Sequence, residues 1–170
     1  MNFLPKDYEA PAESGGRYLS RFPSGETRIR VLSEAVTGWL YWNTNDKPVR
    51  LKKFPETYPD DAKPNKDGSD QRIKHFWAFT CWDYQDKTIK ICEITQSTIR
   101  SAITAFIEDN DYGDPTGYDL KINRTGEALD TKYHVVPGPK GKVSAEIEKI
   151  FEDTPVDLEA LFDGTDPFEG

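Results

Sequence analysis

The sequence has few of the features on which secreted, membrane-spanning and disulfide-bonded proteins depend. Only two cysteines occur in its 170 residues, Cys81 and Cys92, so it has no disulfide framework, which fits a reducing cytosol. No apolar run approaches the roughly 20 residues that cross a bilayer, and we expect no membrane partner. The first residues lack the basic and apolar regions of a secretory signal. We therefore expect a cytoplasmic protein of one ordinary domain.

The motifs of common catalytic sites are also missing. The sequence has no GxxxxGK, GxSxG, HExxH or CxxC pattern. Four residues of types that bind zinc are present, but their spacing matches no common zinc site, and reduced core cysteines explain two of them. They are His75, Cys81, Cys92 and His134. We assign no catalytic residue, no metal and no cofactor, and we expect that the protein is not an enzyme.

One carboxylate-rich segment keeps an enzymatic alternative open. Residues 108–119 contain five acids, and Asp83 lies on a predicted strand. The segment 109–115 is rich in turn-forming Asp, Asn and Gly, which favours a solvated connection. In the alternative, carboxylates such as Asp83, Asp111 and Asp114 serve a small metal-dependent nuclease or nucleotide-processing enzyme.

The negative charge of the chain is concentrated at one end. The formal net charge is -8, and residues 152–170 contain seven acids and no Lys or Arg. The remaining 151 residues therefore carry a net charge of -1, and the stretch 28–53 has six bases against two acids. We predict a nearly neutral domain with a basic stretch, followed by an acidic tail that is electrostatically separate.

The hydrophobic periodicity predicts strands, one helix, and then more strands. The helix is indicated by apolar residues at helical spacing over 99–107, with a last short helix before the tail. The predicted strands cover 27–32, 39–42 with a continuation over 49–53, 74–84, 87–95, 118–124 and 133–136. This order predicts a mainly β fold with one or two helices, an OB-fold-like barrel of five to six strands. An α+β sandwich is the alternative.

The clearest predicted unit is the hairpin of 74–84 with 87–95. A two-residue turn at Gln85-Asp86 makes the numbers of facing residues sum to 171, so each face can be read from the sequence. Both faces are apolar and aromatic, whereas an ordinary surface hairpin needs only one such face. The hairpin is therefore either covered on both sides or uses one aromatic face for binding.

The charge distribution and the predicted strands divide the chain into three regions. Residues 1–26, interrupted by Pro and Gly, form an irregular N-terminal arm. Residues 27–151 form the OB-fold domain, in which 54–71 is a long mobile loop. Residues 152–170 form an acidic tail that we predict to be disordered.

Aromatic residues interleaved with bases are the strongest functional signal. The chain contains 4 Trp, 8 Tyr and 9 Phe, many of them on predicted strands beside Lys and Arg. Single-stranded nucleic acid is bound by this combination, because every base has a stackable face and every nucleotide a phosphate. The candidate binding residues are Arg28, Arg30, Trp39, Tyr41, Lys52, Lys53, Lys74, Trp77 and Trp82. If all the aromatics are core, the chain is instead a protein-interaction adaptor.

Several strings together resemble the single-stranded-DNA-binding proteins encoded by tailed bacteriophages. The strings are His75-Phe76-Trp77-Ala78-Phe79, Trp82-Asp83-Tyr84, Ile91-Cys92-Glu93-Ile94-Thr95-Gln96, Gly113-Asp114-Pro115-Thr116-Gly117-Tyr118-Asp119 and Arg124-Thr125-Gly126-Glu127. The likeness runs from about Phe3 to Val136. It implies an OB-fold protein that coats single-stranded DNA during phage replication or recombination, without catalysis, in the cytoplasm of the bacterial host. The preference for DNA over RNA rests on this resemblance.

The end of the chain adds a second resemblance. Asp163-Gly164-Thr165-Asp166-Pro167-Phe168-Glu169-Gly170 is similar to the acidic tips of bacterial and phage single-strand-binding proteins, but continues two residues past Phe168. It implies docking of replication proteins, such as a polymerase, helicase or primase, and competition with DNA for the groove. The candidate docking residues are Leu158, Leu161, Phe162 and Phe168.

Overall fold

The computed structural model describes Phe3 and residues 16–168. Most of the predicted N-terminal arm therefore lies outside the described residues. The strands are β1 Tyr18–Leu19, β2 Gly25–Val31, β3 Val36–Trp42, β4 Pro48–Leu51, β5 Lys74–Asp83, β6 Thr88–Ile94, β7 Tyr118–Thr125 and β8 Lys132–Lys140. The helices are α1 Ser97–Glu108, α2 Ala145–Glu152 and α3 Ala160–Asp163, with short 3-10 turns at Pro115–Gly117 and Ala128–Asp130.

All eight strands belong to one sheet, built around the long strand β5. The main path runs β1-β6-β5-β2-β7-β8, and β3 pairs with both β5 and β4. The predicted fold class is confirmed: the domain is mainly β and OB-fold-like, with helix α1 between β6 and β7. The sheet differs from the predicted five- to six-stranded barrel in that eight strands pair and the pairings of the described residues do not close it. The two-residue strand β1 lies within the segment predicted to be irregular.

The hairpin of β5 and β6 has the predicted register. Trp77 faces Ile94 and Cys81 faces Lys90, so the numbers of each pair sum to 171. This register places Phe79, Cys81, Cys92 and Ile94 in one core cluster beneath α1. The helix contributes Ile99 and Ile103, as its spacing predicted. The main core therefore lies between this face of the sheet and α1.

The opposite face of the hairpin is covered as well. Trp82 and Ile89 pack against Ile147 of α2. Farther along the sheet, Phe76 and Ile91 lie in a second cluster. The hairpin is therefore covered on both faces, by α1 on one side and by α2 and the second cluster on the other. This accounts for the apolar character of both faces.

The chain after α2 supplies the cover for that second cluster, and the prediction of a disordered tail is wrong for the residues described here. We call residues 154–168 the C-terminal segment. Leu161 and Pro167 in it are buried, and Phe162 lies with its ring centre 6.0 Å from that of Phe76. The prediction failed because it rested on the acidic composition and gave no weight to these few apolar side chains. Their burial on the sheet orders the segment. Glu169 and Gly170 lie outside the described residues.

The long segment 54–71 has no strand of its own, as predicted, and hydrogen bonds attach it to β3. The Tyr41 hydroxyl donates to Asp61 Oδ1 at 2.9 Å. The Gln71 amide accepts from the Trp42 N–H at 2.9 Å and donates to the Trp42 carbonyl at 2.6 Å. These bonds place the segment beside the end of the sheet; its mobility stays a prediction. Within the described residues, no helix is long and apolar enough to cross a membrane.

Candidate nucleic-acid interface

A groove runs across the end of the sheet where β5 begins and β6 ends. It consists of three adjoining cavities of about 520, 530 and 420 Å³. Arg21 and Trp42 line both the first and the second, and Arg72 and Lys74 line both the second and the third. Because neighbouring cavities share walls, we treat them as one surface, the sheet-end groove.

The sheet-end groove is strongly basic. Its cationic lining residues are Arg21, Arg50, Arg72, Lys74 and Arg100, and Glu93 is the one acid among the described lining residues. Glu93 is paired with Arg50 at 2.6 Å, and both side chains are largely buried. The ion pairs found among the described residues leave the other four cations without a carboxylate. The groove therefore offers four positive charges to an anion.

Aromatic rings stand among these cations. Trp39 packs edge-on against Phe54, with ring centres 4.9 Å apart, and lies 4.8 Å from the His75 ring. Trp42 is 45% exposed and Phe54 is 56% exposed. Gln71 binds both the N–H and the carbonyl of Trp42, which fixes the backbone from which this indole projects. Exposed flat rings beside cations are the elements of a base-stacking surface.

The N-terminus of α1 meets the same groove. Thr95, Gln96 and Ser97 line its third cavity together with Arg100 from the first turn of the helix. Gln96 makes no side-chain cap, and the first turn carries no acid. The Nε of Arg100 is buried and has no hydrogen-bond partner among the described residues. Uncapped N–H groups and the helix dipole add to the attraction that the Arg and Lys side chains exert on anions.

Two of the predicted binding residues, Trp39 and Lys74, lie in the sheet-end groove. Besides the paired Arg50, four basic or tryptophan residues there were not predicted: Arg21, Trp42, Arg72 and Arg100. For Trp42 and Arg72 the signal was their position in stretches rich in aromatics and bases. For Arg21, in the predicted arm, and Arg100, on the helix, the sequence offered no signal.

Arg28 and Arg30 lie elsewhere, on β2, and are engaged inside the protein. Asp119 of β7 accepts hydrogen bonds from Arg28 Nε at 3.0 Å and Nη2 at 2.5 Å. Arg30 is buried and donates to the Thr116 carbonyl at 3.0 and 2.8 Å and to the Gly141 carbonyl. Arg30 is therefore a structural residue here, contrary to the expectation of a phosphate contact, because backbone carbonyls occupy its donors.

The Arg28 side chain remains half exposed and also lies over the Tyr84 ring, 4.4 Å from its centre. The Tyr84 hydroxyl donates to Asp119 at 2.7 Å. Burial and this hydrogen bond raise the pKa of Tyr84 to about 12. Asp119 thus gathers Arg28, Arg30 and Tyr84 into one network and neutralises much of the positive charge of β2.

Three predicted stacking residues lie outside the groove. Tyr41 and Trp82 are each 6% exposed, Trp82 beneath α2 and Tyr41 with its hydroxyl on Asp61. Burial and that hydrogen bond raise the pKa of Tyr41 to about 12. Neither ring presents a face to a nucleotide, so both are core residues, contrary to the prediction. Trp77 is half-buried and lines a separate cavity beside α1.

The remaining predicted residues, apart from Lys53, lie along the C-terminal segment or at its edge. Lys52 pairs with Glu159 at 2.9 Å, and this hydrogen bond raises the Lys52 pKa. Lys53 is exposed. Phe168 packs edge-on against Tyr18 with ring centres 6.3 Å apart, beneath the Arg17 guanidinium. The four candidate docking residues, Leu158, Leu161, Phe162 and Phe168, all pack in the second cluster of the sheet.

The carboxylates of the enzymatic alternative do not converge. Asp83 is buried and paired with Lys90 at 2.8 Å. Asp114 caps the 3-10 turn that follows it by accepting from the Thr116 hydroxyl at 2.6 Å and from the Thr116 N–H at 2.9 Å, and these bonds lower the pKa of Asp114. Among the residues described, no three His, Cys, Asp or Glu side chains are grouped so that they could hold a metal ion.

The chain is similar to a phage protein. It is 26% identical over 137 residues to a "Probable ssDNA-binding protein" of Escherichia phage T5. The match covers 68% of this chain and 52% of the relative, so it spans about half the length of that protein. No protein-family model and no solved structure matches the chain.

Proposed function

We propose that this protein binds single-stranded DNA in the sheet-end groove and coats it during phage replication or recombination, without catalysis. The observation that carries the proposal is the groove itself, where four cations without carboxylate partners surround Trp42 and the ring pair of Trp39 and Phe54. The similarity to a phage protein named for single-stranded DNA binding supports it independently.

Each part of the groove has a defined role in this proposal. The four cations contact phosphates, which every nucleotide carries, and the exposed rings stack on bases of any sequence. Binding is therefore largely independent of sequence. A duplex binds more weakly, because its bases are already stacked on one another.

The C-terminal segment has a second role in the proposal, the recruitment of replication proteins. Its apolar side chains are held on the sheet, so a partner must displace them from Phe76 and Tyr18 in order to bind them. Its acids lie beside the basic stretch, as the Lys52 to Glu159 pair shows, and compete there with phosphate. Release of the segment is thus coupled to access of DNA to this part of the surface.

The test is a titration of a fluorescein-labelled oligo(dT) with the full chain, followed by anisotropy, with and without Mg²⁺. We expect an intact, bound strand, and a plot of log affinity against log salt with a slope near -3, about -0.7 for each of four phosphate contacts. The double substitution of Arg72→Gln with Lys74→Gln flattens the slope by about 1.4. Lys140→Gln with Lys142→Gln, exposed lysines outside the groove, is the matched control.

Three outcomes contradict the proposal. Equal affinity for duplex and single strand removes base stacking as the basis of binding. A strand cut in the presence of Mg²⁺ supports the nuclease instead. A strand that is neither bound nor cut supports the protein-interaction adaptor.

A further inference from the structure

A second cavity lies on the opposite side of β5 from the C-terminal segment, between α1 and the connection from β2 to β3. Its volume is about 380 Å³, within the range of about 300–1,000 Å³ typical of ligand pockets. It shares no lining residue with the sheet-end groove. We call it the helix-side cavity.

The interior of the helix-side cavity is apolar. Phe79 and Ile103 are buried within its wall, and Trp77 is half-buried there. At its mouth Ile107, from the last turn of α1, is 47% exposed. An exposed isoleucine beside an open apolar cavity marks a surface on which burial by a partner is favourable.

The exposed charge of the two segments that frame this mouth is of one sign. The two segments that frame it, 31–37 and 103–116, contain five acids and no Lys, Arg or His. All five acids are exposed: Glu34, Glu108, Asp109, Asp111 and Asp114. Two of them, Glu34 and Asp114, line the cavity itself. Exposed carboxylates on both framing segments repel a polyanion, so DNA is a poor ligand here, and they attract cations.

We propose that the helix-side cavity is a docking site for a basic protein segment that inserts one large apolar side chain between flanking Lys or Arg residues. The cavity takes the apolar side chain, and the surrounding carboxylates pair with the flanking cations. The acidic C-terminal segment of this chain has the wrong charge to be the occupant. This site is separate from the proposed DNA groove, and the proposal does not depend on DNA binding.

The experiment uses three blocked peptides as probes of the full ¹⁵N-labelled chain, followed by amide chemical shifts. The peptides are acetyl-Lys-Lys-Phe-Lys-Lys-amide, the same peptide with Glu in place of Lys, and the Lys peptide with Ser in place of Phe. We expect the first to shift amides around Thr37, Trp77 and Ile107 at concentrations up to about 1 mM. It should bind at least about five-fold more tightly than either other peptide.

Three variants separate the cavity from a general electrostatic effect. Glu34→Lys with Glu108→Lys reverses charge at the mouth and should weaken binding at least about five-fold. Glu146→Lys with Glu152→Lys, on α2, makes the same change in net charge elsewhere and should have a much smaller effect. Ala35→Phe, at an exposed position in the wall, fills the cavity and should abolish binding.

Several results would overturn the proposal. Equal binding of the Lys and Glu peptides removes the charge selection, and shifts confined to residues outside the cavity place the site elsewhere. The absence of any shift at about 1 mM peptide argues against a docking site. If sedimentation velocity shows self-association that Glu34→Lys with Glu108→Lys abolishes, the occupant is a second copy of this chain rather than another protein.

Discussion

The covered part of the sheet and its open end contain the same kinds of residue in opposite circumstances. Arg30 and Trp82 lie in the covered part, where Thr116, Gly141 and helix α2 occupy their surroundings. At the open end, Trp42 is exposed, and the described residues give no carboxylate partner to Arg21, Arg72 and Lys74 beside it. An aromatic or basic residue is thus available to a ligand only where nothing within the chain has already engaged it.

The largest difference between the two regions concerns tryptophan. Trp82→Ala should lower the free energy of unfolding by about 3–5 kcal/mol, because it leaves a cavity between Ile89 and Ile147. Urea denaturation followed by circular dichroism measures this loss. A change below about 1 kcal/mol would show that Trp82 is not a core residue.

The buried arginine gives the next effect. Arg30→Gln should cost about 1.5–3 kcal/mol of stability, since it removes hydrogen bonds from a charged group to the Thr116 and Gly141 carbonyls. The same urea denaturation reports this change. With the protein kept folded, affinity for oligo(dT) should change little. A loss of affinity without a loss of stability would show that Arg30 contacts DNA.

At the open end of the sheet, a substitution should lower the affinity for DNA rather than the stability of the protein. Trp42→Ala should weaken oligo(dT) binding by about 1–3 kcal/mol, the range for a base stacked on an aromatic ring. Because Trp42 is 45% exposed, the urea midpoint should move little. Trp42→Phe, which keeps a ring, is the matched control and should recover much of the affinity. Anisotropy with labelled oligo(dT) gives both values.

The smallest expected effect concerns residues 54–71, the segment that borders the sheet-end groove. Burial of Tyr41 and its hydrogen bond to Asp61 in this segment stabilise the neutral phenol, and together they raise its pKa to about 12. A raised pKa gives a stabilisation that is complete below the unfolded pKa of about 10 and is lost as the pH rises through about 12. Tyr41→Phe should therefore show a flatter fall in stability over this range, measured by urea denaturation. An identical fall in both proteins would mean that the Tyr41 phenol does not contribute.

The fold was largely predictable because its signals are local. The alternation along 74–95 determined the register of β5 with β6, and the helical spacing over 99–107 determined α1. Both depend on residues close together in the sequence. The C-terminal segment was not predictable in this way, because its order depends on a distant apolar face that includes Phe76.

The candidate site was predictable only in part. Trp39 and Lys74 share the sheet-end groove, but Arg28 is paired with Asp119, which is 91 residues away in the sequence. Arg100 reaches the groove from a helix that the strand pattern did not connect with it. Local patterns identify residue types suited to DNA, whereas long-range contacts determine which of them remain available.

Photo-crosslinking tests the central claim most directly. An oligonucleotide carrying 5-bromodeoxyuridine is irradiated in complex with the full chain, and the adducts are located by mass spectrometry. The proposed DNA interface predicts adducts on Trp42, Trp39 or Phe54 at the sheet-end groove. Adducts confined to Trp77 of the helix-side cavity, or to the β7 and β8 surface, would contradict it.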